Sequence, residues 1–168
     1  MTASENTLAS GKFFRFWSAA NEPRAVVLIS HGLGEHSGRY EHVAAALTAD
    51  NLHVYALDHI GHGKSPGKPA YINRFSDLTS GVSELRDHIR RHHSGLPVIL
   101  IGHSMGGLIA IRLALGAHAD YAGLILTGPL LGQPEAPSRL QNMLVRVLSV
   151  LAPKVKAIEI DASAVSRD

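Results

Sequence analysis

The sequence predicts an α/β protein with a mostly parallel sheet flanked by helices. Three observations carry this: short continuous apolar runs alternate with amphipathic stretches of helical spacing, the runs are bounded by Gly, Asp and Asn turns, and the chain has a globular composition. It is 168 residues long and 45% hydrophobic, the size of one ordinary domain with enough apolar material for a core.

In chain order, Lys12–Trp17 sets four aromatics around Arg15 and reads as a strand, with Ser10-Gly11 placed to turn a short hairpin before it. Ala25–Ser30 is a continuous apolar run, the pattern of a strand buried on both faces. His36–Asp50 has helical spacing, with Tyr40, Val43, Ala44 and Leu47 on one side and Asn51 as its stop. Leu52–Leu57 is a second buried strand, and Asp58–Arg74, rich in Gly, Pro, Lys and His, is loop. Phe75–His93 is helical, with Asp77 near its start and Arg90, Arg91 and two histidines at its end, as the helix dipole prefers. Pro97–Ile101 is a third buried strand, Ser104–Ala117 a helix and Tyr121–Thr127 a fourth strand. Such alternation implies right-handed crossovers, and ligands then bind beyond the carboxyl ends of the strands.

Composition excludes several functions. There are no cysteines, so a disulfide scaffold, thiolate metal sites, iron–sulfur clusters and a cysteine nucleophile are out. The formal charge is only +2, so the pI near 9.1 reflects a small surplus rather than a basic tract, which argues against nucleic acid as partner. The opening MTASENTLAS lacks the basic start and apolar core of a secretory signal. The most apolar later run, Met105–Ala117, is broken by Arg112 and too short to span a bilayer. The expectation is a soluble cytoplasmic protein. Eleven histidines are more than the rest of the composition leads one to expect.

The turn after the third buried strand reads Gly102-His103-Ser104-Met105-Gly106, the G-x-S-x-G nucleophile elbow between a strand and a helix. A serine on so sharp a turn needs neighbours without side chains two positions away, so that strand and helix can approach. Its hydroxyl then sits at a helix N-terminus, where N–H groups favour developing negative charge. The first turn, His31-Gly32-Leu33-Gly34-Glu35-His36-Ser37-Gly38-Arg39-Tyr40, is glycine-rich and offers a second donor. The backbone N–H groups of Leu33 and Met105 are the two candidate oxyanion donors. A metal reading of His31, Glu35 and His36 fits neither H-E-x-x-H nor H-x-x-E-H and is set aside, leaving no metal and no cofactor. The second turn, Asp58-His59-Ile60-Gly61-His62-Gly63-Lys64-Ser65, ends like a phosphate loop but has Asp58 where that motif needs glycine. Asp58, Gly61 and Gly63 read instead as a tight loop packed beside the elbow.

Together the three turns, HGLGEHSGRY, LDHIGHGKSPG and GHSMGG, resemble the monoacylglycerol lipase and lysophospholipase group of α/β-hydrolases. The resemblance covers nearly the whole chain, including the tail IEIDASAVSRD, which is similar to the early part of the lid in bacterial monoacylglycerol lipases. It implies an α/β-hydrolase fold, with residues 1–131 the N-terminal part of the core and 132–168 the start of the lid. It also implies Ser104 as nucleophile, the Leu33 and Met105 N–H groups as oxyanion hole, and hydrolysis of lipid esters through an acyl-enzyme without cofactor. Leu140, Met143, Leu144, Val147, Leu148 and Leu151 form an apolar helical stripe. In a lid this stripe would shape an acyl pocket or touch a membrane surface; the plainer alternative is packing against its own domain.

The family's chain order is Ser, then Asp or Glu, then His, with the last two beyond the lid. Here the one histidine after Ser104 is His118, at the far end of the helix that Ser104 opens, about 20 Å away at 1.5 Å per residue. Asp120, Glu135, Glu159, Asp161 and Asp168 match no triad position, and His31, His36, His59, His62 and His103 read as loop or packing residues. The expectation is therefore a hydrolase truncated at the start of its lid, nearly inactive alone, with its fourth strand an open edge. That edge suits self-association or a C-terminal complement. The alternative is a non-catalytic remnant acting as a binding or assembly module.

Overall fold

A computed structural model describes residues 2–116 and 121–132. Its elements are β1 (Ser4–Thr7), β2 (Phe13–Trp17), β3 (Ala25–Ser30), a 3-10 turn (Ser37–Tyr40), α1 (Glu41–Ala49), β4 (Leu52–Leu57), α2 (Ser76–His92), β5 (Val98–His103), α3 (Met105–Ala114) and β6 (Gly123–Thr127). All belong to one compact unit, Met1–Leu131. They form a single sheet in the order β1-β2-β4-β3-β5-β6. β4, β3, β5 and β6 run parallel, and the β1–β2 hairpin adds antiparallel to β4.

β3 explains why its run is continuously apolar. Val26 and Leu28 join a core with Leu57, Leu78, Val82, Leu85, Ile89, Leu100 and Ile109, while Val27 and Ile29 join Trp17, Ala44, Val54 and Ala56. Adjacent residues of one strand thus feed two cores: one under α2 and α3, the other under α1. Each fully buried Leu or Ile contributes about 1.5–3 kcal/mol. On α2 the stripe Leu78, Val82, Leu85 and Ile89 recurs at helical spacing and is fully buried.

Several boundaries differ from the sequence reading. The hairpin expected at Ser10-Gly11 forms, but the sequence reading gave its first strand no bounds: the four residues of β1, SENT, are all exposed, so no apolar alternation marks it. Backbone pairing with β2 makes it a strand, and the connection closes through the Leu8 N–H to Lys12 O at 2.8 Å, with Gly11 at φ 83°. The expected helix 36–50 begins as a 3-10 turn, with His36 Nδ1 accepting the Gly38 N–H, and α1 proper starts at Glu41. It ends as expected at Asn51, which takes the left-handed φ of 61° that asparagine tolerates. β5 runs two residues beyond Ile101, to His103, because β6 pairs with it as far as Thr127. The expected helix 104–117 is shorter, Met105–Ala114, with Leu115 as its C-cap; His118 lies outside the described residues, as does the apolar stripe of 140–151. β6 is the outer strand of the described sheet, and its Leu124 and Ile125 are exposed rather than buried.

The strand order places the site. From β3 the chain moves to β4 on one side, then crosses over β3 to β5 on the other. The order therefore reverses at β3, and a crevice opens beyond its carboxyl end, between the loops that leave β3 and β5. Those loops are His31–Tyr40 and the elbow at Ser104.

Candidate active site

Ser104 is the single residue between β5 and α3, at φ 51° and ψ −115°. A non-glycine residue in that region carries about 1–3 kcal/mol of strain and persists only where its surroundings hold it. Here they do. The Ser104 N–H donates to Thr127 O at 3.0 Å, and its carbonyl accepts from Gly107, Leu108 and Leu130 at 3.0, 3.2 and 3.1 Å. The glycines give the steric reason for the motif. A Cβ on Gly102 would lie 2.5 Å from Gly106 O, and one on Gly106 would lie 2.0 Å from Ser30 O. No side chain fits at either place, so helix and strands touch through backbone alone.

The loop after β3 abuts this turn. A Cβ on Gly32 would meet Ser104 Cβ at 3.3 Å and His103 Cδ2 at 3.2 Å. Leu33 follows, 45% exposed, and Met105 is the first residue of α3, so its N–H has no acceptor within the helix. The structure thus brings the Leu33 loop and Ser104 together as neighbours at one end of the sheet.

Three side chains that the sequence reading did not assign to the site hold that loop. Glu35 Oε2 accepts the Gly32 N–H at 3.0 Å and the Tyr40 hydroxyl at 2.8 Å, and Arg39 stands 3.5 Å from Oε1. Burial alone raises the Glu35 carboxyl, but these donors and the nearby His103 outweigh it and hold it below the ordinary carboxylate value. His31, fully buried, has Nδ1 2.7 Å from Gly32 O, while its Nε2 accepts the His59 N–H at 3.0 Å. Burial pushes this imidazole down to about 4. The His59 ring, also buried and held well below its ordinary value by burial, reaches Ser30 Oγ through Nε2 at 2.9 Å. Spacing offered one clue: Glu35 lies three residues after Gly32, as a carboxylate capping a turn does.

Asp58 acts as the packing reading of its loop expected. Its Oδ1 accepts the Ser37 N–H at 2.6 Å and its Oδ2 the Lys64 N–H at 2.8 Å, stapling the loop after β4 to the loop after β3. A Cβ on Gly63, at φ 52°, would lie 2.0 Å from Asp58 Oδ2. The ending that resembles a phosphate loop is used structurally: Ser65 Oγ accepts the Phe13 N–H at 2.8 Å, and Lys64 Nζ pairs with Glu5 at 2.6 Å.

Of the other histidines, His103 Nδ1 lies 3.0 Å from Thr127 O and His62 Nδ1 3.0 Å from Ile60 O. Among the described residues no side chain hydrogen-bonds the Ser104 hydroxyl, no group of three His, Asp or Glu could hold a metal ion, and no helix is long and apolar enough to cross a membrane.

A strained serine between strand and helix, flanked by glycines with no room for a Cβ and faced by a glycine-rich loop, is a hydrolase arrangement, and comparison with known proteins agrees. A family model described as serine aminopeptidase, S33, matches residues 21–168. This chain belongs to that family. It is 40% identical over 157 residues to human monoglyceride lipase, covering 93% of this chain and 52% of the relative. It is 39% identical over 152 residues to the monoacylglycerol lipase of Mycolicibacterium smegmatis, covering 90% and 54%. Among solved structures, the monoacylglycerol lipase of Paleococcus ferrophilus superposes with a TM-score of 0.66 at 31% identity, over 92% of this chain and 54% of that one. The chain thus has the α/β-hydrolase fold and is similar to monoacylglycerol lipases, and it spans about half the length of the curated relatives it matches.

Proposed function

We propose that this chain carries the nucleophile of a carboxylic ester hydrolase acting on monoacylglycerols or lysophospholipids. Ser104 attacks the ester carbonyl, the Leu33 and Met105 N–H groups receive the oxyanion, the C–O bond to the alcohol breaks and the protonated alcohol leaves, and water then hydrolyses the acyl-enzyme to the free acid. The observation that carries this reading is the backbone of Ser104, strained at φ 51° and pinned by four hydrogen bonds between two glycines that admit no side chain. The names of the relatives support the monoacylglycerol class, and the resemblance of the three turns adds lysophospholipids.

The Ser104 hydroxyl needs a base. Three histidines at this end of the sheet are bound elsewhere, His31 and His59 to backbone and to Ser30, and His103 to Thr127. This reading therefore assigns the base and its acid partner to polypeptide outside residues 1–168. It makes the 168-residue chain alone a poor hydrolase, by about ten thousand-fold or more.

Fluorophosphonate labelling followed by intact mass tests both parts. The folded 168-residue chain is expected to stay unlabelled. A preparation completed with the sequence that follows in the reading frame, or with the second half of the Mycolicibacterium smegmatis relative, is expected to hydrolyse monooleoylglycerol and to label at Ser104, and S104A to do neither. Ester turnover retained in S104A removes Ser104 as nucleophile. Serine-dependent labelling of the isolated chain shows that a base resides within it.

A further inference from the structure

We propose that His31 is a positioning residue: its imidazole fixes the direction of the Leu33 N–H by holding the carbonyl of the same peptide unit. The inference rests on the proposed role of Leu33 as an oxyanion donor, and its geometry stands independently of that role. Gly32 O and Leu33 N–H belong to one planar trans peptide, so they point in opposite directions and cannot turn separately. The carbonyl lies 2.7 Å from His31 Nδ1, a shorter bond than the 3.4 Å one it accepts from the Glu35 N–H. The N–H is therefore aimed away from the buried ring.

The tautomer follows from the partners. A backbone carbonyl only accepts and a backbone N–H only donates. With Nδ1 on Gly32 O and Nε2 on the His59 N–H, the proton of the neutral ring must sit on Nδ1. One ring thus joins the loop after β3 to the loop after β4. The ring has no freedom to turn, because it is fully buried, 4.5 Å from the His59 ring and 5.3 Å from the His62 ring by centroids. Burial, with His62 acting in the same direction, keeps it neutral against the opposing pull of the Gly32 carbonyl, Asp58 and Glu35. Glu35 completes the clamp by taking the Gly32 N–H, so the peptide units on both sides of Gly32 are held, one by its N–H and the next by its carbonyl.

The test is NMR on the 168-residue chain with two variants that separate the ring's two hydrogen bonds. Asn at this position can supply the Nδ1-like donor, and Gln the Nε2-like acceptor. Long-range imidazole 15N spectra of the wild type are expected to show Nδ1 protonated and Nε2 bare at neutral pH. The one-bond residual dipolar coupling of the Leu33 N–H reads its direction. H31N is expected to keep the wild-type coupling and an order parameter of about 0.85, and H31Q to change the coupling and fall below about 0.6, with the rest of the sheet unaltered.

A proton on Nε2 in the wild type overturns the proposal. So does a folded H31Q with the wild-type Leu33 coupling, or a folded H31N that loses it. Should H31Q not fold, the wild-type tautomer and H31N still decide. In a completed preparation that labels at Ser104, H31Q is expected to label about 100-fold more slowly, as for loss of an oxyanion donor, and H31N to recover much of the rate. Absence of labelling in the completed wild type counts against the hydrolase reading alone, and the Leu33 couplings then judge His31.

Discussion

Replacing Gly106 with alanine sets two effects of opposite sign against each other. Alanine is the better helix former by about 1 kcal/mol, and Gly106 lies in the first turn of α3, so propensity alone predicts a gain. The added Cβ, however, would lie 2.0 Å from Ser30 O, 2.5 Å from Ser30 C and 2.6 Å from His31 O, where ordinary contact begins at 3.4 Å. All three atoms are main chain, in or next to a central strand, so no side-chain rotation relieves the contact. The helix must move by more than 1 Å relative to β3. Overpacking of this kind costs about 1–3 kcal/mol, and an obstacle of backbone puts the cost at the upper end. The net expectation is a loss of about 2 kcal/mol, which lowers Tm by about 4–8 °C for a domain of this size. Gly81→Ala in α2 is the control: its Cβ would meet the flexible Lys12 side chain at 2.9 Å and Leu57 Cδ2 at 3.1 Å, so Tm should change little. Thermal melts by circular dichroism read both. A G106A protein that melts at or above the wild type would refute the close-approach account of the elbow.

Acid should loosen the same region. His31 titrates near 6.5 when unfolded and about 4 when folded, so between these values the unfolded chain binds the additional proton and acidification favours unfolding. The contribution, about 3 kcal/mol, is whole above pH 6.5 and gone below about pH 4, with buried His59 acting in the same direction. Urea midpoints that stay flat from pH 7 to 4.5 would contradict it. Asp58→Asn turns an NH2 group toward a backbone N–H of Ser37 or Lys64 and should cost about 1–3 kcal/mol; an unchanged melt would show that the staple is dispensable. Ser104→Gly should relieve the strain at φ 51° and, less the flexibility it adds to the unfolded chain, raise stability by about 1 kcal/mol, while S104A keeps the strain. A urea midpoint for S104G no higher than that of S104A would mean that the elbow backbone is not strained.

What local pattern can encode was legible in the sequence. β3 and β4 have the expected bounds because a strand buried on both faces shows a nearly continuous apolar run, interrupted in β4 by His53, whatever it packs against. The elbow was legible because strand, glycine, serine, glycine and helix are contiguous, and the contacts at Gly102 and Gly106 supply the reason for that order. Asp58 and Gly63 could be read as a packed loop from their turn chemistry, although the two N–H groups that Asp58 holds lie on different loops.

Other features depend on partners distant in the chain. β1 is a strand because β2 lies beside it, and its four exposed residues carry no period to reveal this. β5 reaches His103 because β6 extends the ladder. His31 and Glu35 each read as one polar residue in a glycine-rich turn, and Asp58 as a packed loop residue, all three without named partners. The fold supplied those partners by where it placed backbone N–H and carbonyl groups: Gly32 and His59 at the two nitrogens of His31, Gly32 at Glu35, Ser37 and Lys64 at Asp58. A turn motif constrains only its own few residues, so the sequence alone determined where a serine stands on a sharp strand-to-helix turn. The direction of the groups around it is set by hydrogen bonds between loops that leave different strands, and those loops meet only once the sheet has formed.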